Sequence, residues 1–184
     1  MMYCSQCGGK LIFTVPDDDD RQRHVCPSCG TIHYQNPKLV VGCIPLWEDH
    51  ILMCRRDIEP RRGYWTLPAG FLENGETAAE GARRETFEES GAKVVDLSPY
   101  LMVDIPHISQ IYMFFSARLQ RPVFHPTRES SEVQLVAEAD IPWDAIAFKV
   151  VEKTLHHFFQ DRTTGHFDFR MDRIDVPPTD QIQE

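Results

Sequence analysis

The chain has 184 residues, 42% hydrophobic and 26% charged, with a formal net charge of −9. That balance suits a globular protein with one sizeable core and a small appendage, and no apolar run approaches the roughly 20 residues that cross a bilayer. The acidic excess argues against the basic stripe that displaces counterions from nucleic acid, and the N-terminal residues lack the basic-then-apolar pattern of a signal peptide, so the expected location is cytoplasmic.

Two Cys-x-x-Cys pairs come first, Cys4 with Cys7 and Cys26 with Cys29, separated by eighteen residues. Gly8, Gly9 and Gly30 follow them, where the backbone must turn tightly around an ion. Four thiolates at this zinc-ribbon spacing close a tetrahedral site with no open position, which makes the expected role of Zn2+ structural. A redox dithiol pair and a fortuitous spacing are the alternatives. His24 and His33 read as ordinary polar histidines. Residues 11–15 read as a ribbon strand, and Pro16 with the aspartates at 17–20 as an exposed hairpin tip whose carboxylates are more often solvated than metal-bound. A module this small has little core, so zinc binding supplies folding free energy. The expected organisation is a zinc ribbon over 1–35, a second domain over 36–176 and a loosely held tail over 177–184.

Residues 33–37 read as a linker, held extended at Asn36 by Pro37. The β-branched run at 39–44 predicts a buried strand, with 51–55 as its hairpin partner and Cys43 and Cys54 as core thiols. Arg55, Arg56, Arg61 and Arg62 bracket the approach to a strand at 64–70, where arginines can grip a diphosphate; a solvated loop is the alternative for Arg61 and Arg62.

Residues 70–92 are the centre of the chain. Thr77 with Glu80 has the pattern of a capping box, alanines follow, and Gly91 is a stop signal, so the spacing predicts a helix over Ala78–Ser90. Glu85, Glu88 and Glu89 then share one face at i, i+3, i+4 and repel one another. Such a cluster needs full solvation or a cation, and oxygen-only ligands suit a hard ion such as Mg2+. Strands are expected within 93–104, at 111–119 with aromatics on both faces, and at 133–136 after two carboxylates, Glu129 and Glu132. A last helix should begin at Pro142 and cap the sheet through Ile146, Val150, Val151, Leu155, Phe158 and Phe159.

The placement of Gly70, Glu76, Arg84, Glu85, Glu88, Glu89 and Gly91 resembles the Nudix box, with mild departures at Thr86 and Ala92. With a zinc ribbon ahead of it, the chain is similar to the plant chloroplast FAD and ADP-ribose pyrophosphatase type, in a bacterial form without transit peptide. The matching stretches are His33-Tyr34-Gln35-Asn36-Pro37-Lys38, Val41-Gly42-Cys43, Trp65-Thr66-Leu67-Pro68-Ala69-Gly70, Glu129-Ser130 with Glu132, and Ala147-Phe148. The NADH pyrophosphatase lineage carries a Pro-Trp-Pro-Phe-Pro array after Ser-Gln, whereas here Ser109-Gln110 runs into Ile111-Tyr112.

The resemblance implies an α/β fold, the Nudix α/β/α sandwich with a mixed sheet. The reaction it implies is metal-dependent hydrolysis of the diphosphate in an ADP-containing dinucleotide-type substrate, ADP-ribose or FAD, to AMP and X-phosphate. Glu85, Glu88 and Glu89, with the Gly70 carbonyl, would hold Mg2+ or Mn2+, and Glu76 would pair with Arg84. The general base would be Glu85, Glu88, Glu89 or Glu132, the last preferred to Glu129 as the late-loop carboxylate. Arg55, Arg56 and Gln110 are the candidate substrate contacts. A small-molecule nucleotide partner, no nucleic acid, no membrane and a homodimer complete the expectation. The alternatives are an NADH pyrophosphatase and a non-catalytic nucleotide-sensing regulator on the same fold.

Overall fold

Short apolar runs between turns build the first of two units, Met1–Pro37, in a computed structural model that describes residues 1–175. Its strands β1 (Ile12–Thr14), β2 (Arg23–Val25) and β3 (Ile32–His33) form an antiparallel sheet in which Phe13, His24 and His33 stand in one row. Only Leu11, Cys4 and Cys26 are clustered in its core, and Ile12, Phe13 and Val15 are exposed, so apolar burial alone cannot hold this unit. At the acidic tip, Asp19 accepts from Asp20 N at 2.8 Å and from Arg23 Nε at 3.0 Å, which fastens the turn.

The second unit starts at Lys38. Its strands are β4 (Lys38–Trp47), β5 (His50–Arg56), β6 (Trp65–Thr66), β7 (Ala69–Phe71), β8 (Val94–Ile105), β9 (Gln110–Leu119), β10 (Ser130–Val136) and β11 (Arg170–Arg173); its helices are α1 (Ala78–Ser90) and α2 (Lys149–Thr164). The sheet runs β10-β5-β4-β9-β8-β11, parallel at β4–β9 and β8–β11 and antiparallel at the other junctions. Side-chain alternation sends Val41, Cys43, Leu52, Cys54, Phe115 and Ala117 to the α1 face. Ile44, Ile51, Met53, Leu101 and Phe114 go to the other face, under Val151, Leu155 and Phe158 of α2. The expected α/β/α sandwich with a mixed sheet is the fold found, and both core cysteines lie beneath α1. No helix among the described residues is long and apolar enough to cross a membrane.

The sheet forks at one end. β4 and β5 pair only at Leu46–Ile51 and Trp47–His50, after which β7 takes the edge of β4 along Val40–Gly42 and β6 takes that of β5 at Cys54 and Arg55. The stretch expected as one strand over 64–70 is therefore two, because Leu67-Pro68 steps from one prong to the other; the Pro68 carbonyl accepts from Cys43 N at 3.1 Å.

Other expectations are corrected. The last helix starts at Lys149 rather than Pro142. Ile146 is extended (ψ 130°) and bridges to Trp65, and Ala147 N donates to Trp65 O at 2.8 Å, so these residues serve β6 instead of a helical turn. Residues 94–105 form one long strand, kept continuous by two register shifts near Asp96 and Pro99. β11 has no counterpart in the sequence reading. The tail at 177–184, and Val176 at the expected domain end, lie outside the described residues.

Candidate active site and metal centre

Thr77 Oγ1 accepts from Glu80 N at 3.3 Å while Thr77 N donates to the Glu80 carboxylate at 2.8 Å, and Gly91 ends α1 in the left-handed conformation at φ 69°. The helix so fixed lies against the fork, and a cavity of about 620 Å3 opens there. Glu85, Glu88 and Glu89 line it together with Gly70. A Cβ on Gly70 would collide with the Glu85 carboxylate, so glycine is what allows that side chain to lie against the backbone of β7.

Arg84 organises the carboxylates. Its Nε and Nη2 donate to the two Glu76 oxygens at 3.0 and 2.7 Å, a bidentate fork, and its Nη1 donates to Glu85 and Glu88 at 2.6 and 3.0 Å. These bonds hold the Glu76 carboxyl down at about 2. Burial instead pushes Glu85 up, and pushes Glu89 up to about 8. Glu89 is 5% exposed, and among the described residues its carboxylate accepts from one donor, the backbone N–H of Ala69 at 3.1 Å. A buried carboxylate without a cationic partner is costly, and a divalent ion would supply that partner; the donor set of carboxylates beside a glycine backbone fits Mg2+ or Mn2+.

The structure separates the other candidates. Arg56 and Gln110 line the cavity. Arg55 and Glu132 do not: they pair with each other, with Arg55 Nε on the Gly63 carbonyl at 2.9 Å and Glu132 also reached by Gln134 Nε2 at 3.4 Å. The cause is the irregularity between Ser130 and Glu132 in β10. It puts Glu132 on the side of Gln134, opposite Val133 and Leu135, and leaves Glu129 at the cavity. Of the two late-loop carboxylates, Glu129 is the one at the cavity, and Glu132 is held by Arg55 outside it.

Tyr112 and Phe148, along with the bend at Ile58–Pro60, also line the cavity and were not singled out as site residues. Phe148 carries the Arg56 guanidinium 5.2 Å above its ring. The apolar run around Tyr112 reads as core in the sequence, whereas its half-buried side chain borders the cavity.

In the first unit, the Sγ atoms of Cys4, Cys7, Cys26 and Cys29 lie within 4.8 Å of one another, the one such ligand group among the described residues. Cys4–Cys29 and Cys7–Cys26 stand at 3.7 and 3.4 Å. Thiolates about 2.3 Å from a tetrahedral Zn2+ would be spaced similarly, so the cluster fits that ion. His33 Nε2 lies 3.3 Å from Cys4 Sγ, closer to the cluster than an ordinary polar histidine.

Known proteins resemble this chain in sequence and in fold. The Nudix N-terminal zinc-ribbon family model matches residues 2–35 and the NUDIX domain model matches 36–158. The solved NUDIX hydrolase from Nitrosomonas europaea is 49% identical with a TM-score of 0.92, covering 96% of this chain and 100% of that one. An ADP-ribose pyrophosphatase from Streptococcus suis shares the fold at TM-score 0.60 and 19% identity, over 76% of this chain and 100% of its own.

Curated relatives called NAD-capped RNA hydrolase NudC, from Photobacterium profundum and Vibrio parahaemolyticus, are each 28% identical over 83% and 88% of this chain. The chain spans 58% and 62% of the length of those relatives. Their name includes an RNA, which stands against reading the family as free of nucleic-acid substrates. With 36–158 matched by the domain model and a solved relative 49% identical along nearly its whole length, the chain belongs to the Nudix hydrolase family.

Proposed function

We propose that this chain hydrolyses the phosphoanhydride of an ADP-containing dinucleotide-type substrate, ADP-ribose or FAD, to AMP and X-phosphate. The carrying observation is the convergence of Glu85, Glu88, Glu89, Gly70 and Arg56 on one cavity of about 620 Å3. Glu85, Glu88 and Glu89, with the Gly70 carbonyl, hold Mg2+ or Mn2+. When bound, the ion supplies neutralisation of phosphate charge and activation of water.

The chain's own groups do the rest. Arg84, locked by Glu76, keeps the first two carboxylates in place. Arg56, with its Nε on Pro60 O at 2.9 Å, leaves its Nη donors for the diphosphate. Glu129 joins Glu85, Glu88 and Glu89 as a candidate base in place of Glu132. Tyr112 and Phe148 give an apolar wall to the part of the substrate away from the phosphates. The zinc ribbon over 1–35 is a structural module ahead of the hydrolase domain over 36–176, and the working assembly is a homodimer, which light scattering on the purified chain would test.

A second reading is an NADH pyrophosphatase or a hydrolase of NAD-capped RNA, favoured by the name of the curated relatives. A hydrolysis panel of ADP-ribose, FAD, NADH and a 5′-NAD-capped oligonucleotide, each with Mg2+ and Mn2+, separates the two by which substrate releases AMP or opens its cap fastest. Glu88→Gln with Glu89→Gln should abolish that release while leaving the fold intact. Turnover near wild type in the double variant would overturn the assignment, and ligand binding without turnover in the wild type would favour a regulator.

A further inference from the structure

Glu129, the cavity carboxylate that does not belong to α1, sits in an exposed loop directly before β10. Residues 125–130 are fastened to the end of α1, closed on themselves and tied to the residue after β5. His125 N donates to Ser90 O at 2.9 Å, Thr127 N to Ser130 O at 2.9 Å, and Asp57 N to Glu129 O at 2.7 Å. Between them, Thr127 Oγ1 donates to Glu89 O at 3.2 Å and accepts from Glu129 N at 3.2 Å.

One hydroxyl thus joins the backbone of the buried helical carboxylate to that of the loop carboxylate. The last carbonyls of a helix lack intrahelical partners, and the Glu89 carbonyl is otherwise met by the Cys54 thiol at 3.8 Å, a weak donor. Glu129 lines the same cavity as Glu85, Glu88 and Glu89.

Resting on the proposed site, we infer that Thr127 is a positioning residue that sets the distance between Glu129 and the helical carboxylates, and so tunes the field offered to a divalent ion. Valine keeps the shape of threonine and removes both hydrogen bonds, whereas serine keeps the hydroxyl.

The test measures Mn2+ affinity of the full chain by electron paramagnetic resonance, with ADP-ribose turnover and melting temperature alongside. Thr127→Val and Glu129→Gln should each weaken Mn2+ binding about tenfold. The double variant should be no weaker than Glu129→Gln alone, and Thr127→Ser should stay within about twofold of wild type. The melting temperature should hold throughout, and Thr127→Ala serves if the valine variant does not fold. Wild-type affinity in Thr127→Val, or losses that multiply in the double variant, overturn the inference and leave the site reading standing. If Glu129→Gln alone changes neither affinity nor turnover, the placing of Glu129 in the site falls, and the inference with it.

Discussion

Replacing Glu89 by glutamine should make the ion-free protein less sensitive to alkali. In the folded chain, burial holds this carboxyl up at about 8, against an ordinary 4.5. Between those values the folded state keeps a proton that the unfolded chain has released, so stability falls as pH rises and the full cost is reached above pH 8. At 1.36 kcal/mol per pH unit the cost would be at most about 4–5 kcal/mol, and water entering around the ionised group reduces it to roughly half, about 2 kcal/mol. For a chain of this size that is about 4–8 °C in melting temperature.

Glutamine has no proton to lose, so the variant should be about that much more stable relative to wild type at pH 9 than at pH 5. Calorimetry across this range, in buffer passed over chelating resin so that the cysteine-bound ion stays in place, gives the comparison. Adding Mg2+ should restore the wild type at pH 9 and leave the variant unchanged. Parallel pH profiles for the two proteins would refute both the buried-charge argument and the assignment of Glu89 as a ligand.

Glu76 behaves in the opposite sense. Hydrogen bonds from Arg84 hold it at about 2, so its contribution is fully present above the ordinary 4.5 and is lost as pH falls toward 2, and Glu76→Gln should show a shallower loss of stability in acid titration followed by circular dichroism. Gly70→Ala places a methyl against the Glu85 carboxylate and should weaken Mn2+ binding at least about tenfold, read by titration calorimetry; unchanged affinity would remove Glu85 from the ligand set. Cys26→Ser, at a fully buried member of the cysteine cluster, should lower zinc content from one ion per chain to none by elemental analysis, with loss of ordered structure in the first unit.

The parts legible in the sequence were those set by local rules. Thr77, Glu80 and Gly91 mark the two ends of α1 by their own chemistry, and the cysteine spacing brings four thiols together with only a short chain between the pairs. What escaped depends on partners distant in sequence. Pro142 is a good first-turn residue, yet β6 captures Ile146 and Ala147 and delays the helix to Lys149. Glu132 and Glu129 are equivalent as letters, and only the register of β10 on β5 sends one to Arg55 and the other to the cavity. Tyr112 sits in an apolar strand paired on both sides, by Val40 and Val103, and only the three-dimensional placing of its face beside the cavity makes it a wall of the site.

That parting has a mechanical consequence. Gly70 and Phe71 ride on β4, whereas Arg56 and the Asp57–Glu129 contact belong to β5 and β10, so opposite walls of the cavity hang from different prongs. Parting the prongs further would strain the Leu67-Pro68 step and the packing beneath α1, where Val41 and Cys43 of one prong share a cluster with Leu52 and Cys54 of the other. The gap between Arg56 and the helix that carries the glutamates is therefore set by two separate ladders, with α1 as the clasp between them: Glu89 accepts from Ala69 N on one prong through its carboxylate and from Thr127 Oγ1 beside the other through its backbone carbonyl. Amide exchange at Cys43, whose partner is the Pro68 carbonyl on the step between the prongs, compared with the neighbouring amides of β4, would read how firmly that clasp holds.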